Sequence, residues 1–343
     1  NPGSASRKYA LFASTGAQSK SSCIASIHFE TNSESQVIYS VTALGNTVVN
    51  EQPSGLSHIA FSITKLQSLL EKHQMLKPDD EIKNIGLRIV APSSFFQQHH
   101  KVNKQLVDNL KALQARAPLH ISSTLQELEL LEKEYPKADI FGVSDSQFHH
   151  TLPDYARTYG ISQADARQSD VWRFGYHGLS LSSVVQQLKK VDLLKPRVVV
   201  CHLGSGSSVS ALHNGVSIDT TMGYSPNEGL VMATRSGSID QVAFNILSKD
   251  LGLSANKKEE YLNYKSGLLA ISGKSSDIRK LLELEAREDT AARLALKIYT
   301  YHVQLAIGQM TAALGGIDAL VFTGTIGERS SEIRKRIVSK LEY

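Results

Sequence analysis

The chain has 343 residues, 41% of them hydrophobic, and 37 lysines and arginines against 33 aspartates and glutamates, for a formal charge of +4. A single core stops growing at about 250–300 residues, so two domains are expected. No stretch reaches the roughly 18 uninterrupted apolar residues of a membrane span, the polar start has no apolar run behind it to make a secretory signal, and the interspersed charges offer no dedicated nucleic-acid face.

Residues 9–13 read as a strand, 14–22 as a Gly/Ser turn, and 23–29 as a returning strand in which Cys23, Ala25, Ile27 and Phe29 alternate. Helical patterns follow at 61–73 and 124–134, then a strand at 139–143 and a helix at 180–190. Pro153 and Gly160 interrupt the pattern, so the boundary falls within 151–165 and gives domains 1–155 and 156–343. Residues 197–203 form the next strand, 204–208 a Gly/Ser turn and 209–213 its return. Asn214-Gly215 then supplies a two-residue turn into a strand at 216–220. One strand-turn-strand unit in each half implies an internally duplicated α/β architecture. The longest helix is expected from Ala291, capped by Thr290, to Leu314, where Gly315-Gly316 stops it. Its stripe Leu296, Tyr299, Val303, Ile307, Met310, Leu314 keeps the three-and-four spacing of a buried face. A strand at 319–323, a turn at 324–327 and a helix at 330–341 complete the order. Cys23 and Cys201, both in apolar runs, make no disulfide framework and fit a reducing cytoplasm.

Several segments carry candidate chemistry. His202-Leu203-Gly204-Ser205-Gly206-Ser207-Ser208 puts glycines and hydroxyls directly after an apolar strand, where free backbone N–H groups can wrap anionic oxygens. Most Gly/Ser turns between strands are only turns, but a second Gly-rich turn feeds a helix at 324–328, and a helix start favours phosphate. The long segment 220–237 is too rich in Gly, Pro, Thr and Ser for a regular element and presents one arginine, Arg235. Tyr176-His177-Gly178 supplies an imidazole, and Asp145 a carboxylate just past a strand. Each would be ordinary alone.

Together these residues resemble the acetate kinase family, with its propionate and butyrate relatives. The resemblance rests on Phe174-Gly175-Tyr176-His177-Gly178, the loop 202–208, the stretch 219–240, Ser266-Gly267-Leu268-Leu269-Ala270-Ile271-Ser272-Gly273, Ser275-Ser276-Asp277-Ile278-Arg279, and the run 315–328. It is dense from about 172 to 334 and thins to islands at Arg88-Ile89-Val90, Ala117-Pro118-Leu119-His120 and 145–149. It implies the duplicated actin, sugar-kinase and Hsp70-like fold, the N-terminal domain carrying part of the acyl site and the second domain binding nucleotide and forming a homodimer. The implied reaction is reversible phosphoryl transfer from ATP to acetate or a short-chain carboxylate, with Mg2+ as cofactor, in the cytoplasm.

By the same resemblance Arg88 and Arg235 hold the carboxylate and the transferring phosphoryl group, His177 stabilises the transition state, and Asp145 is the catalytic acid residue. Val90, Leu119, Tyr176 and Pro226 line the acyl pocket, with His120 beside them. His202, Leu203, Gly204, Ser205 and Gly206 cradle the nucleotide phosphates. Asp277, Ile278 and Arg279, with Thr325, Ile326, Gly327, Glu328 and Arg329, grip adenosine. A carboxylate is already ionised at neutral pH, so the acceptor needs no general base, and Asp145 is expected to position metal or substrate.

The chain also departs from the family's pattern. The opening Asn is missing from Ala13-Ser14-Thr15-Gly16-Ala17-Gln18-Ser19-Lys20-Ser21, and Lys20 stands one place off register. Leu87, Ala91-Pro92-Ser93, Ser205 and Arg329 replace family residues, and Tyr343 falls short of a final strand and helix whose glutamate serves magnesium. Metal ligands therefore stay unassigned, and a weakened or silent nucleotide-binding homologue, acting as scaffold or regulator, is the alternative.

Overall fold

The computed structural model describes residues 1–2, 6–13, 22–32, 34–77 and 79–341, apart from the side chains of 118–120. The chain forms two compact units: Asn1–Ala91 with Gln98–Ser144, and Pro92–Gln97 with Asp145–Tyr343. The second unit thus begins at Asp145 and also takes in a short excursion from the first half.

In the first unit, β1 (Ser6–Ala13), β2 (Ser22–Thr31), β3 (Val37–Ala43) and β4 (Asn46–Pro53) make an antiparallel sheet in chain order. Alternation explains β2: Ala25, Ile27 and Phe29 are buried and Ser26 is exposed, while Cys23 lies at the exposed end, outside the buried row. The turn expected at 14–22, with Lys20, lies outside the described residues up to Ser21. A second sheet joins β5 (Asn84–Ile89), β6 (His100–Lys101) and β7 (Asp139–Ser144) in the order β5-β7-β6, with β5 and β7 parallel.

The sheet of the second unit runs β10-β9-β8-β11, from β8 (Arg197–Leu203), β9 (Ser207–His213), β10 (Val216–Thr220) and β11 (Ala319–Thr323). The first three are antiparallel hairpin neighbours, as the glycine turns require, and β11 lies parallel to β8 with Thr323 opposite His202. The helix Thr290–Leu314 covers this sheet, burying Leu296, Tyr299, Val303, Ile307 and Met310 against Val199, Cys201, Val209 and Ala211. Burial also pushes the Cys201 thiol pKa up, so this cysteine behaves as a small apolar residue.

Local chemistry shifts several expected boundaries. The pattern at 61–73 is a 3-10 helix, Ile59–Lys65, then an α-helix, Leu66–Lys72, because the His58 ring accepts the Ala60 N–H and starts the turn early. The helix expected at 124–134 is Pro118–Glu134, proline being suited to a first turn whose N–H groups have no partner. That expected at 180–190 is Gly178–Lys190. Asp289 caps the long helix in place of Thr290, its carboxylate accepting the Ala292 N–H at 2.8 Å. The turn at 324–327 is helical, Gly324–Arg329, and Ser330 caps a shorter last helix, Ser331–Val338. Among the described residues no helix is long and apolar enough to cross a membrane.

Candidate active site

Strand β8 ends at Leu203 and the chain turns back through Gly204-Ser205-Gly206 into β9, with the Gly204 N–H bonded to the Gly206 carbonyl at 3.0 Å. Beside it, β11 ends at Thr323 and turns at Gly324. Gly324 has φ +78, and a Cβ there would sit 2.6 Å from the Leu203 carbonyl, so only glycine lets the second turn press against the first. Two glycine turns thus leave the carboxyl ends of two parallel strands side by side, the place where open α/β sheets receive ligands.

His177 stands over the first turn. It caps the helix Gly178–Lys190 from a left-handed backbone, φ +63, which is strained for a side chain with a Cβ. Asp145 holds it there: the His177 N–H donates to Oδ2 at 2.8 Å, and the Gly178 N–H donates to the Asp145 carbonyl at 2.8 Å. Asp145 is only 1% exposed, and this bond ties its carboxylate to the backbone of His177. A Cβ at Gly206 would lie 3.2 Å from His177 Nε2 and 3.4 Å from Arg235 Nη1. The imidazole and the guanidinium therefore converge on one glycine, from segments nearly sixty residues apart. Their chemistry suits charge building up on phosphoryl oxygens.

Arg235 is aimed by its loop. Its Nη1 donates to the Pro226 carbonyl at 3.3 Å, the Met232 N–H to the Arg235 carbonyl at 3.1 Å, and the Ala233 N–H to the Ser205 carbonyl at 3.3 Å. Behind the loop, Ser266 and Leu268 donate to Thr234 and Met232. Gly267 lies between them at φ +64, where a Cβ would come within 2.8 Å of the Arg235 carbonyl. Glu228, which sequence reasoning gave no role, ties the loop down through Arg173 and Tyr159. Burial and the Glu228 carboxylate both push the Tyr159 pKa up, so its hydroxyl stays a donor.

The remaining expected residues fall as follows. Tyr176 is fully buried and donates its hydroxyl to the Tyr224 carbonyl at 2.6 Å. Pro226 is buried; His202 lies half-buried at the end of β8. Leu203 packs its side chain in the core, leaving its backbone at the turn, and Ser205 is exposed. Asp277 caps the helix Ile278–Ala286 and pairs with exposed Arg279 at 2.6 Å, while Ile278 points into the core. Thr325, Glu328 and Arg329 are exposed, Gly327 is buried, and Ile326 packs on the core. In the first unit, Arg88 and Val90 are half-buried at the end of β5, with Arg88 Nη1 donating to Asn1 Oδ1 at 3.0 Å. The side chains of Leu119 and His120 lie outside the described set.

Sequence reading gave no role to Ser180, Ser217 or His149, and placed Ser208 only in the phosphate-binding turn. Ser208 and Ser180 bond the rings of His177 and His202, and Ser217 bonds His149, whose Nε2 reaches the Tyr176 carbonyl at 3.0 Å. Burial lowers the His149 pKa from 6.5 to about 4, so this ring is neutral and braces the backbone just before His177. No periodicity marks these contacts, because they join distant segments.

A profile described as the acetokinase family matches residues 1–343. An acetate kinase from Protochlamydia amoebophila is 37% identical over 350 residues, covering 100% of this chain and 86% of the relative. A propionate kinase structure from Francisella tularensis superposes with a TM-score of 0.85 at 33% identity, covering 99% of this chain and 86% of that one. The Porphyromonas gingivalis acetate kinase structure gives 0.82 at 30% identity, covering 100% and 86%. The fold class is the duplicated actin, sugar-kinase and Hsp70-like α/β one expected from the sequence.

Proposed function

The chain belongs to the acetokinase family, and we propose on that premise that it reversibly transfers a phosphoryl group from ATP to acetate or another short-chain carboxylate, giving an acyl phosphate and ADP. The observation that carries this reading is the convergence of His177 Nε2 and Arg235 Nη1 on Gly206. Phosphoryl transfer passes through a loose transition state with charge spread over equatorial oxygens, so positioned donors and cations do most of the work. Arg235 and His177 supply them over the first glycine turn. His202 and the backbone of 203–206 hold the nucleotide phosphates, and Asp277, Ile278 and Arg279 with residues 325–329 take the adenosine end. On the family pattern the carboxylate is assigned to Arg88, Val90, Leu119 and His120 in the first unit and to Tyr176 and Pro226 in the second. The carboxylate arrives ionised, so no base is needed. Asp145 acts on His177, holding its left-handed backbone through the N–H bond.

The family implies magnesium. Among the described residues no group of three or more His, Cys, Asp or Glu side chains could hold an ion, and buried Asp145 spends Oδ2 on His177. These residues do not fit a protein-built cage; the ion would come with the nucleotide phosphates, as magnesium commonly does. Leu294, Tyr301 and Leu305, exposed along one side of the long helix, support association with a second copy, and the buried free thiol of Cys201 is compatible with a cytoplasmic setting.

The test is direct. With ATP, magnesium and acetate, hydroxylamine should trap an acyl phosphate as its hydroxamate. Nucleotide binding with no hydroxamate from acetate, propionate or butyrate would return the chain to the scaffold reading.

A further inference from the structure

Three histidines of the second unit share one arrangement. In each, Nδ1 meets a serine hydroxyl: His149 with Ser217 at 2.8 Å, His177 with Ser208 at 2.9 Å, and His202 with Ser180 at 2.8 Å. For His149 the tautomer is fixed by the other nitrogen. Its Nε2 faces the Tyr176 carbonyl, which can only accept, so Nε2 carries the hydrogen and Nδ1 accepts from Ser217.

The other two rings are stacked, centroids 4.0 Å apart and 28° from parallel. Both turn Nε2 toward the glycine turn: a Cβ at Gly206 would lie 3.2 Å from His177 Nε2, and one at Gly204 3.9 Å from His202 Nε2. Phosphoryl oxygens accept and cannot donate, so a ring that serves them must carry hydrogen on Nε2. Two imidazolium charges stacked this closely repel each other, which favours at least one neutral ring. A neutral ring with hydrogen on Nε2 needs a donor at Nδ1. A hydroxyl can be that donor, whereas a carbonyl or carboxylate would draw the hydrogen to Nδ1 instead.

We propose that Ser208 and Ser180 are positioning residues that hold the stacked His177 and His202 as Nε2–H tautomers, lining up two hydrogen-bond donors for the phosphoryl oxygens. This rests on the acyl-kinase reading above for the identity of the acceptor. The serines touch no substrate; they act through the rings. Ser208 is fully buried on β9 and Ser180 half-buried in the first turn of its helix, so each hydroxyl is delivered by a regular element.

Ring 15N resonances of the full chain, assigned with His177→Gln and His202→Gln variants, read the tautomers without any turnover. The expected pattern has Nδ1 unprotonated and Nε2 protonated in both rings. Ser208→Ala should move His177 toward the Nδ1–H form and lower kcat about tenfold, with KM for ATP and acetate changed by less than about twofold, while Ser208→Thr recovers most of the loss. Ser180→Ala should do the same to His202, and it carries the test if the buried Ser208→Ala variant does not fold. Nδ1–H rings in the wild type, or alanine variants that keep the wild-type nitrogen pattern and full kcat, would overturn the proposal. So would threonine and alanine variants equally impaired, which would mark Ser208 as packing only. A wild type that forms no acyl phosphate defeats the functional reading, and the nitrogen pattern still decides this one.

Discussion

The two units hold their candidate cations in different ways. Arg235 rises from a turn whose backbone is bonded to Ser205 on one side and to Ser266 and Leu268 on the other, with Gly267 filling a space that no side chain could share. Arg88 stands half-buried at the end of a strand, extending toward Asn1. A guanidinium fixed before substrate arrives costs no reorganisation when charge develops, so in the proposed function Arg235 would act chiefly on the transition state. In the proposed function Arg88 holds the incoming carboxylate, whose negative charge is greatest before the new O–P bond forms, so its contribution falls mainly on binding.

The sharpest way to break this contrast is to remove each arginine in turn. Arg235→Ala should lower kcat about a thousandfold, with the carboxylate KM little changed, and Arg235→Lys should recover only part because a point charge does not reproduce the planar fork. Arg88→Ala should act mainly on binding, raising the carboxylate KM about tenfold with a smaller fall in kcat. Steady-state kinetics by hydroxamate trapping separate the two, and matching kcat losses in both variants would erase the distinction.

His149 tests how firmly the second unit frames its site. It is neutral in the native chain with a pKa of about 4, against 6.5 for an unperturbed imidazole. Below pH 6.5 the unfolded chain binds a proton that the native chain refuses, so stability falls from pH 6.5 toward 4 and is flat above that window. The shift corresponds to a loss on the order of 3 kcal/mol across the window. Urea midpoints measured from pH 7 to 4 should show this slope, and His149→Gln, though less stable throughout, should lack that part of it. An unchanged slope would mean that the ring is solvated and does not brace Tyr176.

The same difference decides what the sequence could reveal. Glycine turns after apolar strands are local signals, and they placed the β8–β9 and β9–β10 hairpins and the stop of the long helix at Gly315. The stripe from Leu296 to Met310 placed the core by periodicity alone. What stayed hidden depends on contacts between distant segments. Ser208 differs in no local respect from Ser207, yet one hydroxyl meets a histidine and the other Tyr299. The family pattern and an acceptor that needs no base assign Asp145 to metal or substrate; its bond from the N–H of a residue with positive φ is what only the fold brings about. The cap at Asp289 was missed by one place, since Thr290 and Asp289 are both good caps and the choice is geometric.

Tyr176 gives the smallest expected effect and the finest test of this framing. A hydroxyl at this position could polarise an acyl pocket, which would shift preference among acetate, propionate and butyrate. Here the hydroxyl donates to the Tyr224 carbonyl at 2.6 Å, and burial raises its pKa well above the usual value, so it remains a neutral donor committed to the backbone. Removing it with Tyr176→Phe leaves a buried carbonyl without its donor and should cost about 1–2 kcal/mol of stability. One methylene in an apolar pocket already discriminates by about 1–3 kcal/mol, so a hydroxyl spent elsewhere adds little to that. The activity ratios of the three carboxylates should therefore be the same in Tyr176→Phe as in the wild type, with a lower urea midpoint as the only change. A shifted ratio at unchanged stability would put the hydroxyl in the pocket and show that this buried layer selects substrate as well as supporting the residues around it.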